Sequence, residues 1–387
     1  MRKKILLIAG ERSGDTLGSD LLDQLDRDLF DISIVGGPSM EKKSGRRSLF
    51  PMEELAVMGI FELLPRLPRI LRRIGETARF AVNTAQDLVL TIDSPDFCFR
   101  VMKKIRQLDR ANRIKGFHLV APSVWFYRGG RAKKIARLYD ELFCLLPFEP
   151  PYFEKYGLRT IFVGHPILGR GFAQPSASAR DSAGPGDSRT IVLTPGSRTT
   201  EIRAMLPLML AVARDLRKTY NLNFSILTSE DMEAEVRKYL GAGKIGQPEV
   251  ISDPQRKLET LARSSLAIAK SGTNTLEIAA RSVPLVVIYR FNFLTNILVG
   301  LFLRMKSGPK FANIVNILAA REIVPEFIVS KCRVKNIVEA AIHLLESGEA
   351  RARQLEDSRR ILEQLSLGAG RPASQLMADE IRRSLAL

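Results

Sequence analysis

Along the first half of the chain, short apolar runs alternate with amphipathic segments. Lys4–Ala9, Ile32–Val35, Leu88–Ile92, Gly116–Val120, Leu142–Leu145 and Thr160–Val163 have the length and apolar content of buried strands. Between most of them lie helical patterns such as Leu17–Leu29 and Phe97–Leu108. A βα series of this kind predicts a mainly parallel sheet. From Gly171 to Arg189 the composition turns to Ser, Ala, Gly, Pro and Asp, which marks an exposed linker. The alternation then resumes, with strands at Thr190–Thr194, Asn223–Thr228, Ser265–Ala269 and Leu285–Ile288. Helices follow at Ala204–Thr219, Glu233–Leu240, Asn274–Arg281 and Val334–Leu345, and the polar amphipathic stretches Ala350–Leu365 and Ala373–Leu385 close the chain. The expected fold is α/β: two Rossmann-like, doubly wound domains facing each other across a cleft. Their bounds are 1–170, a linker at 171–189, and 190–349, with the helices of about 350–387 packing back on the first domain.

Each half opens with a buried strand, a tight turn of small residues and a helix start. In the first the turn is Gly10-Glu11-Arg12-Ser13-Gly14-Asp15, and in the second it is Pro195-Gly196-Ser197-Arg198. The free N–H groups of a helix start favour anions, so both turns are candidate nucleotide or phosphate sites. The first lacks the GxGxxG and GxxxxGK[ST] spacings, which disfavours dinucleotide redox chemistry and a P-loop ATPase. Glu11 and Ser13 are candidates for a sugar or its phosphate, with turn and cap chemistry as the default. In the second turn Arg198 can hold a pyrophosphate with Gly196 and Ser197, although a capping box closed by Glu201 accounts for the same residues.

Asp93 follows a strand in Ile92-Asp93-Ser94-Pro95-Asp96-Phe97, where open α/β sheets place their ligands. It can cap the next helix or act as a general base; Asp96 suits the first-turn dipole better, which leaves Asp93 for chemistry. In Ser271-Gly272-Thr273-Asn274-Thr275-Leu276-Glu277, the glycine permits close backbone approach and Glu277 can accept ribose hydroxyls. A capped core helix with a solvated Glu277 is the competing reading. Beside the 195–198 turn in one domain, the nucleotide reading leads.

Composition narrows the picture. The 59 Lys and Arg against 42 Asp and Glu give a net charge of +17, which attracts phosphate-rich partners without choosing among them. The basic residues are dispersed and no RNA-binding aromatic signature accompanies them, so nucleic acid is not an expected partner. Cys98, Cys144 and Cys332 read as reduced core thiols, and His118, His165 and His343 form no zinc pattern. His165 either reaches the cleft or fixes the domain hinge, and the hinge reading leads. The first strand begins within a few residues of Met1, so export is not expected. Phe291–Met305 is apolar but too short and too polar to span a bilayer; it lies on a membrane surface or is buried. Val57–Arg73 mixes apolar residues with arginines, as a lipid-docking helix does, and as a core-packed amphipathic helix also does. Trp125 and Phe126 pose the same choice.

With these residues assembled, the chain resembles the lipid-A-disaccharide synthase family, inverting glycosyltransferases of the GT-B architecture. The segments that carry the resemblance are Ala9–Asp15, Met52–Ile60, Ile92–Phe97, Pro122-Ser123-Val124-Trp125, Pro195–Arg198 and Ser271–Thr273 with Glu277. The resemblance implies transfer of 2,3-diacylglucosamine from its UDP conjugate to 2,3-diacylglucosamine 1-phosphate, giving the disaccharide 1-phosphate and UDP. It implies Asp93 as base and Arg198 as phosphate ligand. The Ser271–Glu277 segment is then the nucleotide loop, Asn316 part of the nucleotide site, and Glu11, Ser13, Asp96 and Ser123 acceptor or sugar contacts. The first domain then takes the acceptor and faces the membrane, and the second takes the UDP-sugar. In the family pattern Pro-Asn-Ile/Leu, Val315 stands here in place of the proline. No acidic metal motif is present, so activity without a metal or other cofactor is expected. Location on the inner face of a Gram-negative inner membrane and a homodimer are compatible with this reading. Another UDP-N-acetylglucosamine-using transferase or epimerase of the same fold, and a non-catalytic basic lipid- or RNA-binding protein, are the alternatives.

Overall fold

In the computed structural model, residues 2–55, 60–125, 130–166, 189–241, 247–290, 311–366 and 371–387 are described. The chain forms two compact units, Met1–Gly169 with Leu365–Leu387, and Arg170–Gln364.

The first unit carries β1 (Lys3–Ala9), α1 (Arg12–Leu22), β2 (Phe30–Val35), α2 (Pro38–Ser44), α3 (Ile60–Asn83), β3 (Leu88–Ile92) and α4 (Pro95–Leu108). β4 (Lys115–Leu119), α5 (Arg131–Ile135), β5 (Glu141–Cys144), α6 (Pro151–Glu154) and β6 (Arg159–Phe162) follow. The second unit carries β7 (Arg189–Thr194), α7 (Thr199–Arg217), β8 (Leu222–Leu227), α8 (Glu230–Leu240), β9 (Glu249–Ile251), α9 (Pro254–Arg263) and β10 (Leu266–Lys270). It continues with α10 (Asn274–Ala280), β11 (Leu285–Tyr289), α11 (Ile314–Ala319), β12 (Glu326–Ile328), α12 (Val334–Glu346) and α13 (Gly348–Ser366); α14 (Ala373–Ser384) ends the chain.

Both sheets are six-stranded and parallel, in the orders β2-β1-β3-β4-β5-β6 and β12-β11-β10-β7-β8-β9. The apolar runs make them so. Ile5 to Ala9, Leu88 to Leu90, Ile191 to Leu193 and Leu266 to Ala269 are fully buried, as strands covered on both faces must be. In each sheet the strand order reverses once, between β1 and β3 in the first and between β7 and β10 in the second. Outside the carboxyl ends of such strands a doubly wound fold has room for a ligand.

Helix α1 begins at Arg12, five residues ahead of the expected Leu17, and stops at Leu22. The reason is Gly14 and Gly18. A Cβ on Gly14 would lie 3.2 Å from the Ile92 carbonyl, and one on Gly18 2.6 Å from Met40 Sδ, so small residues let the helix pack tightly from its first turn. Buried Asp15 then holds α2: its carboxylate accepts from the backbone N–H of Gly37 (2.8 Å), Ser39 (3.0 Å) and Met40 (3.0 Å).

Helix α14 packs Met377, Ala378 and Ile381, with Leu385 just after it, into the core of Ile5, Leu7, Leu21 and Phe30. Arg382 donates to the Gln24 carbonyl (2.6 Å), and Arg159 pairs with Glu380 (3.0 Å). Glu141 lies beside Glu380; burial, then that neighbouring carboxylate, raises its carboxyl to about 7. Helix α13 contributes instead to the second unit, where the Gln354 amide bonds both the N–H and the C=O of Leu285. The expected linker up to residue 188, the Phe291–Met305 segment and Phe126 lie outside the described residues.

Candidate functional site

At the reversal point of the first sheet, the β1–α1 and β3–α4 turns touch. Gly10 makes this possible, because a Cβ there would fall 2.7 Å from Ser94 Oγ and 2.9 Å from Ser94 Cβ. The half-buried Asp93 accepts a 3.0 Å hydrogen bond from Ser13 Oγ, and its own N–H donates to the Leu119 carbonyl at 2.9 Å. Asp93 (φ 51°) and Ser94 (φ 43°) both sit in the left-handed region, and so does Val120 (φ 78°) just beyond β4. That conformation costs a non-glycine residue about 1–3 kcal/mol, and it persists only where the surroundings over-determine it. The left-handed backbone turns Asp93 away from capping: Ser94 is the N-cap of α4, and no side chain caps it.

Asp96 lies in the first turn of α4, highly exposed, 3.5 Å from Arg131. Glu11 is the exposed N-cap residue of α1, without a side-chain cap bond. Ser123 is exposed on the loop after β4, the strand next to β3. Two residues on, Trp125 donates from Nε1 to Glu149 Oε1 (3.3 Å) and meets the Phe148 ring edge-on at 5.3 Å. Glu149 is buried on the loop after β5, where its other oxygen accepts the Leu146 N–H (3.1 Å), and burial raises its carboxyl to about 7. Sequence reasoning missed Glu149.

Under this surface His118 Nδ1 lies 2.7 Å from the Thr91 hydroxyl, which lies 2.9 Å from that of Tyr139. Burial lowers His118 to about 3 and His165 to about 4, so both are neutral at pH 7. All three cysteines are free and buried, their thiols pushed up by burial, which removes them as nucleophiles. Among the described residues no group of three or more His, Cys, Asp or Glu could hold a metal ion.

At the reversal point of the second sheet, the β7–α7 turn meets the β10–α10 turn. Asn274 Nδ2 donates to Thr194 Oγ1 (2.9 Å), joining the two. Gly196 has φ 120°, and a Cβ there would lie 2.4 Å from Glu201 Oε2, so the glycine is obligatory. Glu201 reaches back to accept the Ser197 N–H (3.1 Å), as the acidic member of a capping box does; the N-cap residue itself is Arg198, whose side chain makes no cap bond. Glu201 Oε1 also pairs with Lys270 Nζ (2.8 Å) and lies 3.8 Å from Arg198 NH1. Lys270 is the last residue of β10, a position hidden in sequence because it closes an apolar run.

Ser271 Oγ donates to the Ala312 carbonyl (3.0 Å), and Thr273 is the N-cap residue of α10 without a side-chain cap bond. A Cβ on Gly272 would meet nothing closer than 3.4 Å, so the turn is open there. Glu277, part exposed, is 3.9 Å from Arg281.

Asn316 is fully buried. Its Oδ1 accepts the N–H groups of Ile323 (2.8 Å) and Val324 (2.9 Å), and Nδ2 donates to the Val324 carbonyl (2.8 Å) and to Glu326 Oε2 (3.3 Å). The amide is thus engaged in holding the 320–326 loop. Glu326 accepts the N–H groups of Ala312 (3.0 Å) and Asn313 (2.9 Å), tying that loop to the segment that receives Ser271. Val315, where the family pattern has proline, donates its N–H to Asn313 Oδ1 (3.3 Å), the cap of α11. A proline lacks that donor but fits a first helical turn, so the helix start survives the exchange.

The α3 segment divides. Arg73 is engaged by both oxygens of Glu54 (2.9 and 2.7 Å) and by Glu76 (2.7 Å), and stands over the Phe50 ring at 4.8 Å. Pro68, Arg69, Leu71 and Arg72 are exposed, Leu71 by 51%. Residues 57–59 of the expected docking stretch lie outside the described residues. Among the described residues no helix is long and apolar enough to cross a membrane.

Known proteins agree with this layout. Among solved structures, the S. aureus MnaA–UDP co-structure superposes with a TM-score of 0.61 at 14% identity, covering 100% of this chain and 97% of that one. Acinetobacter baumannii MurG gives 0.58 at 14% identity, covering 99% and 100%. These likenesses show the GT-B fold class. A lipid-A-disaccharide synthase of Rickettsia prowazekii is 36% identical over 386 residues, covering 98% of this chain and 99% of its own. Residues 5–379 match the family described as Lipid-A-disaccharide synthetase, and the chain belongs to that family.

Proposed function

We propose that the chain transfers 2,3-diacylglucosamine from UDP-2,3-diacylglucosamine to the 6-hydroxyl of 2,3-diacylglucosamine 1-phosphate, with inversion. Asp93 takes the hydroxyl proton as the acceptor oxygen bonds to the anomeric carbon. The bond from that carbon to the β-phosphate oxygen breaks, and its electron pair leaves with UDP. Ser13 orients the Asp93 carboxylate, and Arg198 with the 196–198 turn receives the departing diphosphate. Glu11, Asp96 and Ser123 line the acceptor side; Ser271, Gly272, Thr273 and Glu277 line the nucleotide side, and Asn316 supports it through the 320–326 loop.

The observation that carries the reading is Asp93: a half-buried carboxylate held in left-handed backbone at a sheet reversal point, and kept from capping. The exposed Arg69, Leu71 and Arg72, with a net charge of +17, support docking on an anionic inner-membrane surface that holds both lipid substrates.

The test is UDP release from UDP-2,3-diacylglucosamine in detergent micelles with EDTA, with and without the acceptor, for wild type and Asp93→Ala. Acceptor-dependent release in wild type that the variant loses supports metal-independent disaccharide synthesis. A folded, UDP-binding protein that releases no UDP on adding acceptor sinks it and favours an epimerase-like use of the same fold.

A further inference from the structure

Around the 195–198 turn the Arg198 guanidinium has a companion. Lys270 Nζ reaches Glu201 Oε1 (2.8 Å) with its side chain only 16% exposed, lies 5.2 Å from the centre of the Tyr289 ring, and comes within 3.6 Å of where a Cβ on Gly272 would be. The ammonium is therefore lodged between the turn after β7 and the turn after β10, the neighbouring strands whose order reverses. Glu201, the carboxylate it meets, also accepts the Ser197 N–H, so this single carboxylate collects a backbone donor and a lysine. Those are the groups that a phosphate oxygen takes. One Glu against Arg198 and Lys270 leaves the cluster with a net positive charge, and a lysine has three donors, of which the contact with Glu201 uses one.

We infer that Lys270 is a second phosphate-binding cation of the donor site, gripping the diphosphate of a nucleoside diphosphate sugar together with Arg198. Glu201 positions it between the two turns while no phosphate is bound. The inference rests on the UDP-sugar reading above and adds to it a residue that reads the phosphates and not the nucleoside. As the glycosidic bond forms, the leaving diphosphate gains negative charge, and a point charge beside it stabilises that charge.

Calorimetric titration of the full chain with UDP, UMP and uridine tests this on wild type, Lys270→Met and Lys270→Arg. The expected result is that Lys270→Met weakens UDP by about 10- to 100-fold, the size of one charge-assisted contact, and leaves uridine unchanged. Lys270→Arg should recover most of the loss. Unchanged UDP affinity in Lys270→Met, or an equal loss for UDP and uridine, overturns the assignment. Thermal unfolding checks each variant, and Lys270→Gln, which keeps a polar side chain, replaces Lys270→Met if the methionine form does not fold. A wild type that fails to bind UDP at all overturns the donor reading itself, which is a different result from a wild type that binds while the variant is unaffected.

Discussion

At the reversal point of the first sheet the side chains that meet are a carboxylate and a hydroxyl, Asp93 on Ser13, with Glu11 and Asp96 on the same two turns. At the equivalent point of the second sheet, Arg198 and Lys270 gather around Glu201. The backbones differ in the same way. At its reversal point the first unit holds non-glycine residues in left-handed conformations, Asp93 and Ser94, whereas the turn at the second reversal point uses Gly196. The difference follows from the chemistry proposed for each unit. A base must be held at one angle to one hydroxyl, and local strain with a neighbouring hydrogen bond holds it there. A diphosphate is gripped by charge and by backbone N–H groups, which needs close approach and little else.

Substitutions that separate the two units test this contrast. The largest effect is expected from Asp93→Asn, a fall in kcat of about a thousandfold with UDP affinity unchanged; Arg198→Ala should instead weaken UDP. Turnover assays beside UDP titrations read both, and a variant of either residue that moves kcat and UDP affinity equally would erase the distinction. Next, Asn316→Ala should cost about 3 kcal/mol, because it strips partners from the N–H groups of Ile323 and Val324 and from the Val324 carbonyl, measured by denaturant unfolding. Gly196→Ala should cost about 2 kcal/mol and lower UDP affinity with it, since both φ and Glu201 oppose a Cβ.

The smallest effect is in the first unit and depends on pH. Glu149 has its folded carboxyl raised from 4.5 to about 7, so the stability it contributes is full below 4.5 and is lost as pH rises through about 7. Glu149→Gln keeps one accepting oxygen and sets an NH2 against the other N–H, so its Tm should lie below wild type at low pH, with the gap narrowing as pH rises above neutrality. His118 works in the opposite sense: with its folded value lowered from 6.5 to about 3, stability falls on acidification through that interval. The Gln variant should therefore show the acid-side slope more plainly, and Tm measured across pH reads both.

Most of the fold was legible because strands buried on both faces leave continuous apolar runs. What escaped had no such run. The edge strands β9 and β12 have three residues each, and the polar Arg12-Ser13-Gly14-Asp15 hides the first turn of α1, which forms because two glycines let it sit close. Asp93 could be found from its place after a strand. Lys270 and Glu149 could not, because one ends a strand and the other lies in a loop, and only the folded chain shows what each faces. Asn316 was legible as a residue of interest, but its buried contacts with the 320–326 loop were not.

The return of α14 to the first unit sets an order of events during synthesis. The patch around Leu21 and Phe30 waits for Met377, Ile381 and Leu385, which leave the ribosome after the whole second unit. For most of translation the amino-terminal half is thus an unfinished body with an uncovered apolar face, the kind of surface that chaperones hold and that aggregates when they do not.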